Sequence, residues 1–335
     1  MSLVARLHGR GDLRIGDEQP PGPAPNGWSR LAVTSVGICG SDLHWFAEGG
    51  IGETEISEPL VPGHEFAAVV LEGPLAGQRV AVDPAIPCDA CEQCRAGHGN
   101  LCPNVRFAGH GALDGALQEQ LLWPSHLLHP LPDALSDDAG ALLEPLGVAL
   151  HAAGLAHISA GDDVLVVGAG PIGLLAAYVA RHAGGGRVFA SEPLEHRRRS
   201  ALRYGADAAW SPDEAVPELL ETTSGRGADV VIELAGTDDA ITTAVAAARP
   251  GARVALGGIP SEPRSSFPAA AARRKGLTFT MVRRMHATYG RAIELATSGL
   301  DLDGLVTARY ALADATDALT NAAERSGDKT VVVVS

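Results

Sequence analysis

The sequence has little lysine and few bases of either kind. Lys275 and Lys329 are its only lysines, and 26 basic residues stand against 40 acidic ones, which gives a formal net charge of −14. A protein dedicated to nucleic acid needs surplus Lys and Arg for the phosphates, and an anionic membrane surface attracts the same side chains. Neither partner is therefore expected. We assign no function to the preference for arginine over lysine.

Long apolar runs are also missing. The first ten residues contain no apolar core of the length found in signal peptides. Residues 164–180 carry no charge, but this run is at the short limit for a membrane span, and three glycines and a proline interrupt it. We therefore interpret it as a buried strand, turn and helix. We expect a soluble, cytoplasmic protein.

Length and cysteine content narrow the class of protein further. A chain of 335 residues with 46% hydrophobic content predicts about two domains with sizeable cores. Without a secretion signal, the five cysteines are expected to be metal ligands or catalytic groups rather than disulfides. Their distribution is uneven, because Cys39 stands alone and the other four lie within residues 88–102.

The pattern of apolar residues changes near residue 130. Before it, short apolar runs bounded by glycine and proline predict a β-rich module. Helical spacing then predicts a helix over residues 136–157, with Ser136 as its N-terminal cap. From Asp163 onward, strands alternate with helical segments. This order is typical of a parallel, doubly wound sheet, so the predicted fold class is α/β.

A glycine-rich turn follows the first of these later strands and opens a helix. Glycines there permit a tight turn, close approach of the backbone to a pyrophosphate and close helix packing, and the helix N-terminus offers unpaired N–H donors. Glu192, about 20 residues further on, would accept hydrogen bonds from the ribose hydroxyls and repel a 2′-phosphate, which favours NAD over NADP. The arginines at 197–199 could pair with that phosphate instead, and a turn that merely packs is the ordinary alternative. The candidate cofactor-binding residues of the turn are Gly168, Gly170, Pro171, Ile172 and Gly173.

Four clustered cysteines form a second motif. Zinc held tetrahedrally by four thiolates is a closed, structural site. An iron–sulfur cluster is an alternative, although bacterial ferredoxin runs have a shorter spacing before their last cysteine, and unmetallated thiols are another. We predict a structural zinc at Cys88, Cys91, Cys94 and Cys102.

A lone thiol, an imidazole and two carboxylates occur at three separate places. Cys39 lies in Gly-Ile-Cys-Gly-Ser-Asp-Leu-His, His64 and Glu65 form Pro-Gly-His-Glu, and Glu144 precedes Pro145. One thiolate, one imidazole and one carboxylate can hold zinc with an open coordination position. Each residue alone has an ordinary interpretation as a small core residue, a buried histidine or a helix cap. Beside a zinc-type loop and a dinucleotide turn, they predict a catalytic metal site.

With these motifs in this order, the sequence resembles the zinc-dependent medium-chain alcohol dehydrogenases over nearly its whole length. It is most similar to the polyol branch, typified by sorbitol (L-iditol) and L-idonate dehydrogenases. This similarity rests on the segment from Cys39 to Trp45, on Gly50-Ile51-Gly52 and on Leu-Glu-Pro-Leu-Gly-Val-Ala-Leu-His-Ala at 143–152. The intact four-cysteine loop favours a resemblance to bacterial polyol, idonate or cyclitol enzymes.

The resemblance implies an architecture and cofactors. A GroES-like, β-rich catalytic domain would cover residues 1–146 and 283–335, and a Rossmann NAD-binding domain would cover residues 147–282. Two zinc ions per chain, NAD as cofactor and a homodimer or homotetramer would complete the protein. The partner would be a small-molecule polyol or sugar acid.

The resemblance also implies a metal-ligand set. Cys39, His64 and a glutamate would hold the catalytic zinc. Either Glu65 is the direct ligand while Glu144 holds the zinc-bound water, or the two exchange. Asp42 would orient the site from behind the ligands.

Further roles follow from the same resemblance. Ser41 would pass the substrate proton through the nicotinamide ribose to His44. Arg197 would pack on the adenine. Arg284 and Tyr289 match a substrate-binding segment of the branch, in which the arginine contacts substrate hydroxyls, although the surrounding residues differ from that pattern.

Three hypotheses of function remain open. The first is a zinc- and NAD-dependent dehydrogenase that oxidises a secondary alcohol of a polyol, sugar acid or cyclitol. The second is a threonine or small-diol dehydrogenase with the same zinc chemistry. The third is a non-catalytic, zinc-stabilised dinucleotide sensor.

Overall fold

The computed structural model describes residues 1–51 and 54–334, so Gly52, which contributed to the resemblance, lies outside the described residues. The chain divides into two compact units, Met1–Glu144 with Tyr289–Ser335 and Pro145–Thr288. The sequence prediction placed the two boundaries after residues 146 and 282. A helix over Leu143–Leu155 runs through the first boundary without a break. Residues 283–288 belong to the second unit, where Met285 is buried beside Gly147.

The strands are β1 (Ser2–Gly9), β2 (Asp12–Glu18), β3 (Trp28–Gly37), β4 (Gly50–Ile51), β5 (Thr54–Glu55), β6 (Glu65–Glu72), β7 (Arg79–Val82), β8 (Ala85–Ile86), β9 (Arg106–Phe107), β10 (Gln120–Pro124), β11 (Leu128–Pro130), β12 (Val164–Val167), β13 (Val188–Ser191), β14 (Ala208–Trp210), β15 (Ala228–Glu233), β16 (Ala248–Leu256), β17 (Thr278–Met281), β18 (Val306–Ala311) and β19 (Lys329–Val333). The helices are α1 (Gly40–Glu48), α2 (Glu92–Arg95), α3 (Asp137–Ala141), α4 (Leu143–Leu155), α5 (Pro171–His182), α6 (Glu195–Arg203), α7 (Pro212–Thr222), α8 (Asp238–Ala247), α9 (Ala269–Lys275), α10 (Tyr289–Thr297) and α11 (Ala315–Glu324). Short 3₁₀ turns cover Gly99–Leu101, Ser125–Leu127, Asp303–Leu305 and Leu312–Asp314.

The first unit is built around a mainly antiparallel sheet. Its strand order is β11-β7-β6-β3-β19-β18, with β10 also paired to β3. β19, near the end of the chain, pairs antiparallel with β3, opposite residues 35–37. Phe66 and Trp123 are fully buried beneath the sheet with their rings edge to face at 5.9 Å. Burying a side chain such as Phe66 contributes about 2–3 kcal/mol. The sheet therefore holds segments from both ends of the chain in one core, and the predicted β-rich module is confirmed.

The second unit is a parallel sheet with strand order β14-β13-β12-β15-β16-β17. The direction of winding reverses between β12 and β15, and ligands of such sheets bind at the carboxyl ends of the strands at this switch point. The fully buried β12 ends at Val167, directly before the glycine turn, and α5 begins at Pro171. The predicted α/β, doubly wound sheet is confirmed, and its topology places the turn where a dinucleotide binds.

Several local predictions need correction. Residues 136–157 form two helices, α3 and α4, because Pro145 has no N–H to donate to the carbonyl of Ala141. Ser136 is the predicted cap, and its hydroxyl accepts a hydrogen bond from Ala139 N at 2.9 Å. Helix α7 escaped prediction because prolines stand at its first position and inside it. Within the described residues, no helix has the length and apolar character needed to cross a membrane.

Candidate functional site

Cys39, His64 and Glu65, which we call the metal group, come together in the first unit. Their candidate donor atoms, one from each side chain, all lie within 4.8 Å of one another. Cys39 is the residue that caps the N-terminus of α1, just after β3, while Glu65 begins β6. β3 and β6 are paired with Gly37 opposite Glu65. Strand pairing thus assembles the group from two segments that are distant in sequence.

Asp42 links the segment that carries Cys39 to the segment that carries His64 by hydrogen bonds. Its fully buried carboxylate accepts hydrogen bonds from Cys39 N at 2.9 Å and from Gly63 N at 3.1 Å. The same carboxylate lies 3.6 Å from His64 Nδ1. Burial acts to raise the pKa of Asp42, but the charge of His64 and these hydrogen bonds lower it overall. Nδ1 of His64 is buried without a hydrogen-bond partner and Nε2 lies 3.5 Å from Ser41 Oγ, so the ring has a nitrogen to offer to a metal.

The electrostatics of this group favour a cation. Burial acts to lower the pKa of His64, but the negative charges of Asp42 and Cys39 raise it well above the usual range. A site that stabilises a proton in this way also stabilises a metal ion that displaces the proton. Sulfur, imidazole nitrogen and carboxylate oxygen are donors that zinc accepts. The residues present therefore fit a zinc ion.

Lys329, a buried base, and Glu144, a buried acid, lie beside the metal group. The amine of Lys329 forms an ion pair with Glu65 and donates a hydrogen bond to the carbonyl of Ile38 at 2.8 Å, and both charged side chains are almost fully buried. Burial and the nearby Glu65 raise the pKa of Glu144 to about 7, although His64 and Lys329 act in the opposite direction. Glu144 is not in the group of donors within 4.8 Å that the described residues form. Of the two candidate glutamates, Glu65 is thus the one that lies with Cys39 and His64.

Sequence reasoning missed Lys329 and a set of rings around His64. The available signal for Lys329 was a rare lysine at the start of an apolar strand. The ring of Phe107 lies 5.2 Å from that of His64, and the ring of His110 lies 5.6 Å from it and 5.5 Å from that of Trp45. The flanking glycines at 109 and 111 have positive φ angles, which gives His110 a tight turn. These rings form an aromatic wall beside the metal group.

Ser41 and His44 lie on α1, a helix that the predicted β-rich module did not include. Ser41 is buried, while the side chain of His44 is 24% exposed. His44 Nδ1 lies 3.0 Å from a carboxylate oxygen of Glu48, one helical turn further on.

The four clustered cysteines also come together, in a loop of the first unit. Their sulfurs all lie within 4.8 Å of one another, with Cys91 and Cys94 3.4 Å apart and Cys88 and Cys94 4.0 Å apart. Tetrahedral zinc with Zn–S bonds of about 2.3 Å separates its sulfurs by about 3.8 Å. Backbone N–H groups point at the sulfurs, and the one of Ala90 contributes most to lowering the pKa of Cys88 to about 6. The loop fits one structural zinc ion.

The glycine turn of the second unit has the geometry that a dinucleotide requires. Gly168 has a φ of +91°, and a Cβ there would lie 2.9 Å from the backbone nitrogen of Ala235. A Cβ on Gly173 would collide with the carbonyl of Gly168. A Cβ on Gly170 would meet only Arg197, at 3.8 Å, so one side of the turn is open to a ligand.

Glu192 is anchored to this turn. It is 4% exposed, and its carboxylate accepts hydrogen bonds from Ala169 N at 2.8 Å and Leu194 N at 3.1 Å. Each carboxylate oxygen can accept a second donor, so ribose hydroxyls remain possible partners. Arg198 donates to the backbone carbonyl of Glu192 at 2.9 Å, and Arg199 pairs with a glutamate of its own helix. Only Nη1 of Arg198 is used in this way, and the pair of Arg199 is exposed, so neither contact prevents these arginines from binding a 2′-phosphate.

Glu233, another buried acid of the second unit, was not identified from the sequence. It ends β15 and accepts hydrogen bonds from Ala235 N at 2.7 Å and Gly236 N at 2.6 Å. Burial raises its pKa, although the backbone N–H groups act in the opposite direction. Its carboxylate shapes the loop against which Gly168 packs.

The predicted substrate segment is divided between the two units. Arg284 lies in the second unit, in a turn after β17, with a φ of +56° that non-glycine residues seldom adopt. Tyr289 lies in the first unit, where its hydroxyl donates a hydrogen bond to the carbonyl of Val82 at 2.7 Å. Its ring stacks on His129 at 4.1 Å.

Comparison with known proteins covers both units. Residues 25–133 match the family model of the alcohol dehydrogenase GroES-like domain, and residues 171–298 match that of the zinc-binding dehydrogenases. The probable D-xylulose reductase A of Neosartorya fischeri is 36% identical over 314 residues, which cover 90% of this chain and 87% of that protein. The sorbitol dehydrogenase of Bacillus subtilis is 32% identical over 313 residues, 91% of this chain and 89% of that one. The crystal structure of L-idonate 5-dehydrogenase from Escherichia coli superposes with a TM-score of 0.90 at 25% identity, covering 99% of this chain and 98% of that one.

Proposed function

Since the chain belongs to the zinc-dependent medium-chain alcohol dehydrogenase family, we propose that it transfers hydride between NAD and a secondary alcohol of a polyol, sugar acid or cyclitol. The observation that carries the proposal is the convergence of Cys39, His64 and Glu65 within 4.8 Å in a chain that also carries a dinucleotide turn. The names of the relatives, which refer to D-xylulose, sorbitol and L-idonate, support a polyol or sugar acid as substrate.

Cys39, His64 and Glu65 would hold the catalytic zinc. Bound there, zinc would act as a Lewis acid that makes a hydroxyl group acidic near neutral pH. Glu65 shares its charge with Lys329, which leaves it a weaker ligand than an unpaired carboxylate. This sharing supports a role for Glu144, a buried acid near Glu65 and His64, which would hold the proton of a water or substrate hydroxyl beside the metal.

The chain's own groups would move the proton. Ser41 Oγ lies beside His64, so it would accept the hydroxyl proton of the substrate and pass its own proton through the nicotinamide ribose to His44 while the hydride leaves the carbinol carbon. His44, on the same face of α1 and partly exposed, would take the proton towards solvent. Arg284 would contact the other hydroxyls of the substrate.

The second unit would bind NAD through the turn at residues 168–173. The N-terminus of α5 would hold the pyrophosphate, Glu192 would accept hydrogen bonds from the adenosine ribose, and Arg197 would pack on the adenine. The anchored carboxylate of Glu192 supports NAD over NADP, because it would repel a 2′-phosphate.

A second zinc would be structural. Cys88, Cys91, Cys94 and Cys102 would fill its coordination sphere and leave no position for substrate. Four thiols maintained for a metal suit the reducing cytoplasm, where we propose that the protein acts.

We further propose a homo-oligomer, a dimer or tetramer. β17 lies at one end of the sheet order of the second unit, and Met281 in it is 72% exposed. Ile259 and Phe267 expose further apolar surface in the same unit, at 49% and 39%. A sheet edge with exposed apolar side chains is a place where a second copy can add. Light scattering on the purified protein measures the mass of the assembly, and a monomer would contradict the proposal.

The test of function is a screen for NADH formation by absorbance. Polyols, aldonates, cyclitols, threonine and small diols are each offered with NAD and with NADP, and zinc is counted by elemental analysis. We expect turnover of a polyol, sugar acid or cyclitol with NAD and two zinc ions per chain. Turnover of threonine or a small diol alone would favour the second hypothesis. One zinc per chain with tight NAD binding and no turnover would favour the sensor.

A further inference from the structure

Each of the two strands that flank β12 in the second unit ends at a buried carboxylate. β13 and β15 are the neighbours of β12 in the sheet. Glu192 directly follows β13, and Glu233 is the last residue of β15. Their exposed fractions are 4% and 1%. Both acids therefore lie at the carboxyl edge of the sheet, around the switch point at which a doubly wound fold binds its dinucleotide.

Backbone N–H groups hold both carboxylates. Glu192 accepts hydrogen bonds from two of them. Glu233 accepts hydrogen bonds from Ala235 N at 2.7 Å and Gly236 N at 2.6 Å, and the N–H of Gly258 bonds to the same carboxylate. Within the described residues, neither acid forms an ion pair. Each buried charge is thus stabilised by peptide dipoles alone and is not neutralised by a basic side chain.

The two acids belong to different halves of the sheet. The strand order β14-β13-β12-β15-β16-β17 is that of a fold built from two mononucleotide-binding halves, which meet between β12 and β15. Glu192 lies in the half to which the proposed function assigns the adenosine. The nicotinamide then belongs to the half formed by β15, β16 and β17. Glu233 therefore places a buried carboxylate in the nicotinamide half.

Tight packing of two loops fixes the position of the Glu233 carboxylate. One loop follows β15 and contains Gly236, which has a φ of +74°, and the other follows β16 and contains Gly258 and Ile259. A Cβ on Gly236 would collide with the carbonyl of Ile259. A Cβ on Gly258 would collide with the backbone nitrogen of Gly236 and lie 2.9 Å from Glu233 Oε2. The side chain is therefore enclosed by backbone, and its charge has a fixed location.

The charge of the nicotinamide ring distinguishes the two forms of the cofactor. The ring carries one positive charge in NAD⁺ and none in NADH, whereas the adenosine and the pyrophosphate are the same in both. A buried carboxylate attracts a cation more strongly than an exposed one, because little water screens it. We infer that Glu233 is a specificity-determining residue for the oxidation state of the cofactor, whose charge strengthens the binding of NAD⁺ and leaves that of NADH nearly unchanged. This inference rests on the proposed function.

The test compares dissociation constants and needs no turnover. NADH is titrated by its fluorescence, and NAD⁺ is titrated in competition with bound NADH at the same pH and salt concentration. Glu233→Gln removes the charge with little change of shape. In this variant we expect the dissociation constant of NAD⁺ to rise about fivefold more than that of NADH. A purely structural role would weaken both forms equally, so an equal change in both constants, or no change, would overturn the inference.

Glu192→Gln is the matched control, because it removes a similarly buried carboxylate from the adenosine half. It should weaken the binding of NAD⁺ and NADH by the same factor, since their adenosine groups are identical. A change in the ratio of the two constants as large as in Glu233→Gln would show that the location of the charge does not matter, and would overturn the inference.

Glu233→Asp separates the charge from the packing of the loops. It keeps the carboxylate on a shorter side chain, so the parent ratio of the two constants should persist even where both constants rise. A ratio altered as much as we expect for Glu233→Gln would assign the effect to the loops and overturn the inference.

Failure of the proposed function would give a different result. A parent protein that binds neither NAD⁺ nor NADH would remove the proposed function, and with it the role of Glu233. A parent protein that binds both forms, with a ratio that Glu233→Gln does not change, would overturn this inference alone.

Discussion

The first unit contains two candidate zinc sites that are built in opposite ways. The four-cysteine loop takes its donors from residues 88–102 and is stabilised by nearby backbone N–H groups. The group at Cys39 takes its donors from two strand ends, and Asp42 and Lys329 support them from buried positions. The four-cysteine loop can fill all four coordination positions of a zinc ion. The metal group supplies three donors, and Glu144 lies nearby as an additional acid. Four ligands from one short segment suit a structural zinc ion. Three ligands brought together by two paired strands suit a zinc ion that must keep one coordination position for substrate.

The largest expected effect comes from removing a donor on the catalytic side. Cys39→Ser should lower turnover by about 10³-fold or more, because the site loses its thiolate donor and with it the zinc that would make the substrate hydroxyl acidic. Zinc content should fall from two ions to one per chain. Steady-state kinetics and elemental analysis measure both quantities. A variant with full turnover and both zinc ions would show that the catalytic site has been misassigned.

The next largest effect concerns the buried ion pair. Lys329→Met leaves the carboxylate of Glu65 buried without its cation, and breaking such a pair costs about 3–5 kcal/mol. We expect that loss in the free energy of unfolding of the zinc-free protein. Zinc-loaded protein should lose less, because the metal replaces the missing charge.

Chemical unfolding with and without a chelator measures this difference. The matched control is Lys275→Met, since the amine of Lys275 donates hydrogen bonds to the carbonyls of Val245, Ala246 and Ala248. That variant should lose about 1–2 kcal/mol, equally in both metal states. If the loss in Lys329→Met is also independent of zinc, Lys329 does not share Glu65 with the metal.

Removing a zinc ligand from the four-cysteine loop should reduce stability but not turnover, the opposite of what we expect for Cys39→Ser. Cys91→Ser should release one zinc, lower the free energy of unfolding by about 2–3 kcal/mol and leave kcat of the folded enzyme within about threefold. The physical reason is that this metal constrains the chain but touches no substrate. Thermal unfolding, zinc analysis and kinetics on the same preparation provide the measurements. A loss of kcat as large as in Cys39→Ser would remove the distinction between the sites.

The smallest expected effect is an acid sensitivity outside both metal sites. Burial lowers the pKa of His129 to about 4, below its usual value near 6.5. The unfolded chain then binds the proton more tightly, so the stabilisation present above pH 6.5 is lost as the pH falls towards 4. After allowance for partial exposure, we expect a loss of about 2 kcal/mol.

His129→Phe retains a ring to stack on Tyr289 and cannot be protonated, so it isolates this effect. The free energy of unfolding, measured from pH 7 to pH 4 in zinc-free protein, should fall less in the variant than in the parent. Equal pH dependence in the two proteins would exclude His129 as the cause.

How far the sequence predicts a site depends on the distance between its residues along the chain. The cysteine loop and the glycine turn are complete within short segments, and their spacing reveals the chemistry. Cys39 and His64 could be connected only by resemblance, because no local pattern shows that β3 pairs with β6. Lys329 was out of reach for the same reason, since β19 brings it to Glu65 from the end of the chain.

The fold was predictable to a similar degree. Buried apolar runs such as β12 and residues 230–232 of β15 revealed the parallel sheet, because strands covered on both faces are largely apolar. Helix α7 was missed although its buried Ala215 and Leu219 are four residues apart, since Pro217 inside it counts against a helix. The division of residues 283–288 from Tyr289 depends on packing between Met285 and Gly147, which no local rule anticipates.

The two lysines have a consequence for labelling chemistry. Lys329 is 3% exposed and lies in the first unit, while the amine of Lys275 is bound to three carbonyls in the second. An amine-reactive acylating reagent can modify Lys329 only after its surroundings open, whereas the partly exposed Lys275 is open to the reagent in the folded protein. Lys329 is therefore a built-in chemical reporter of opening in the first unit, and Lys275 is an internal reference for the reagent. Mass spectrometry of the two lysine peptides after a brief pulse of reagent would compare them in one experiment.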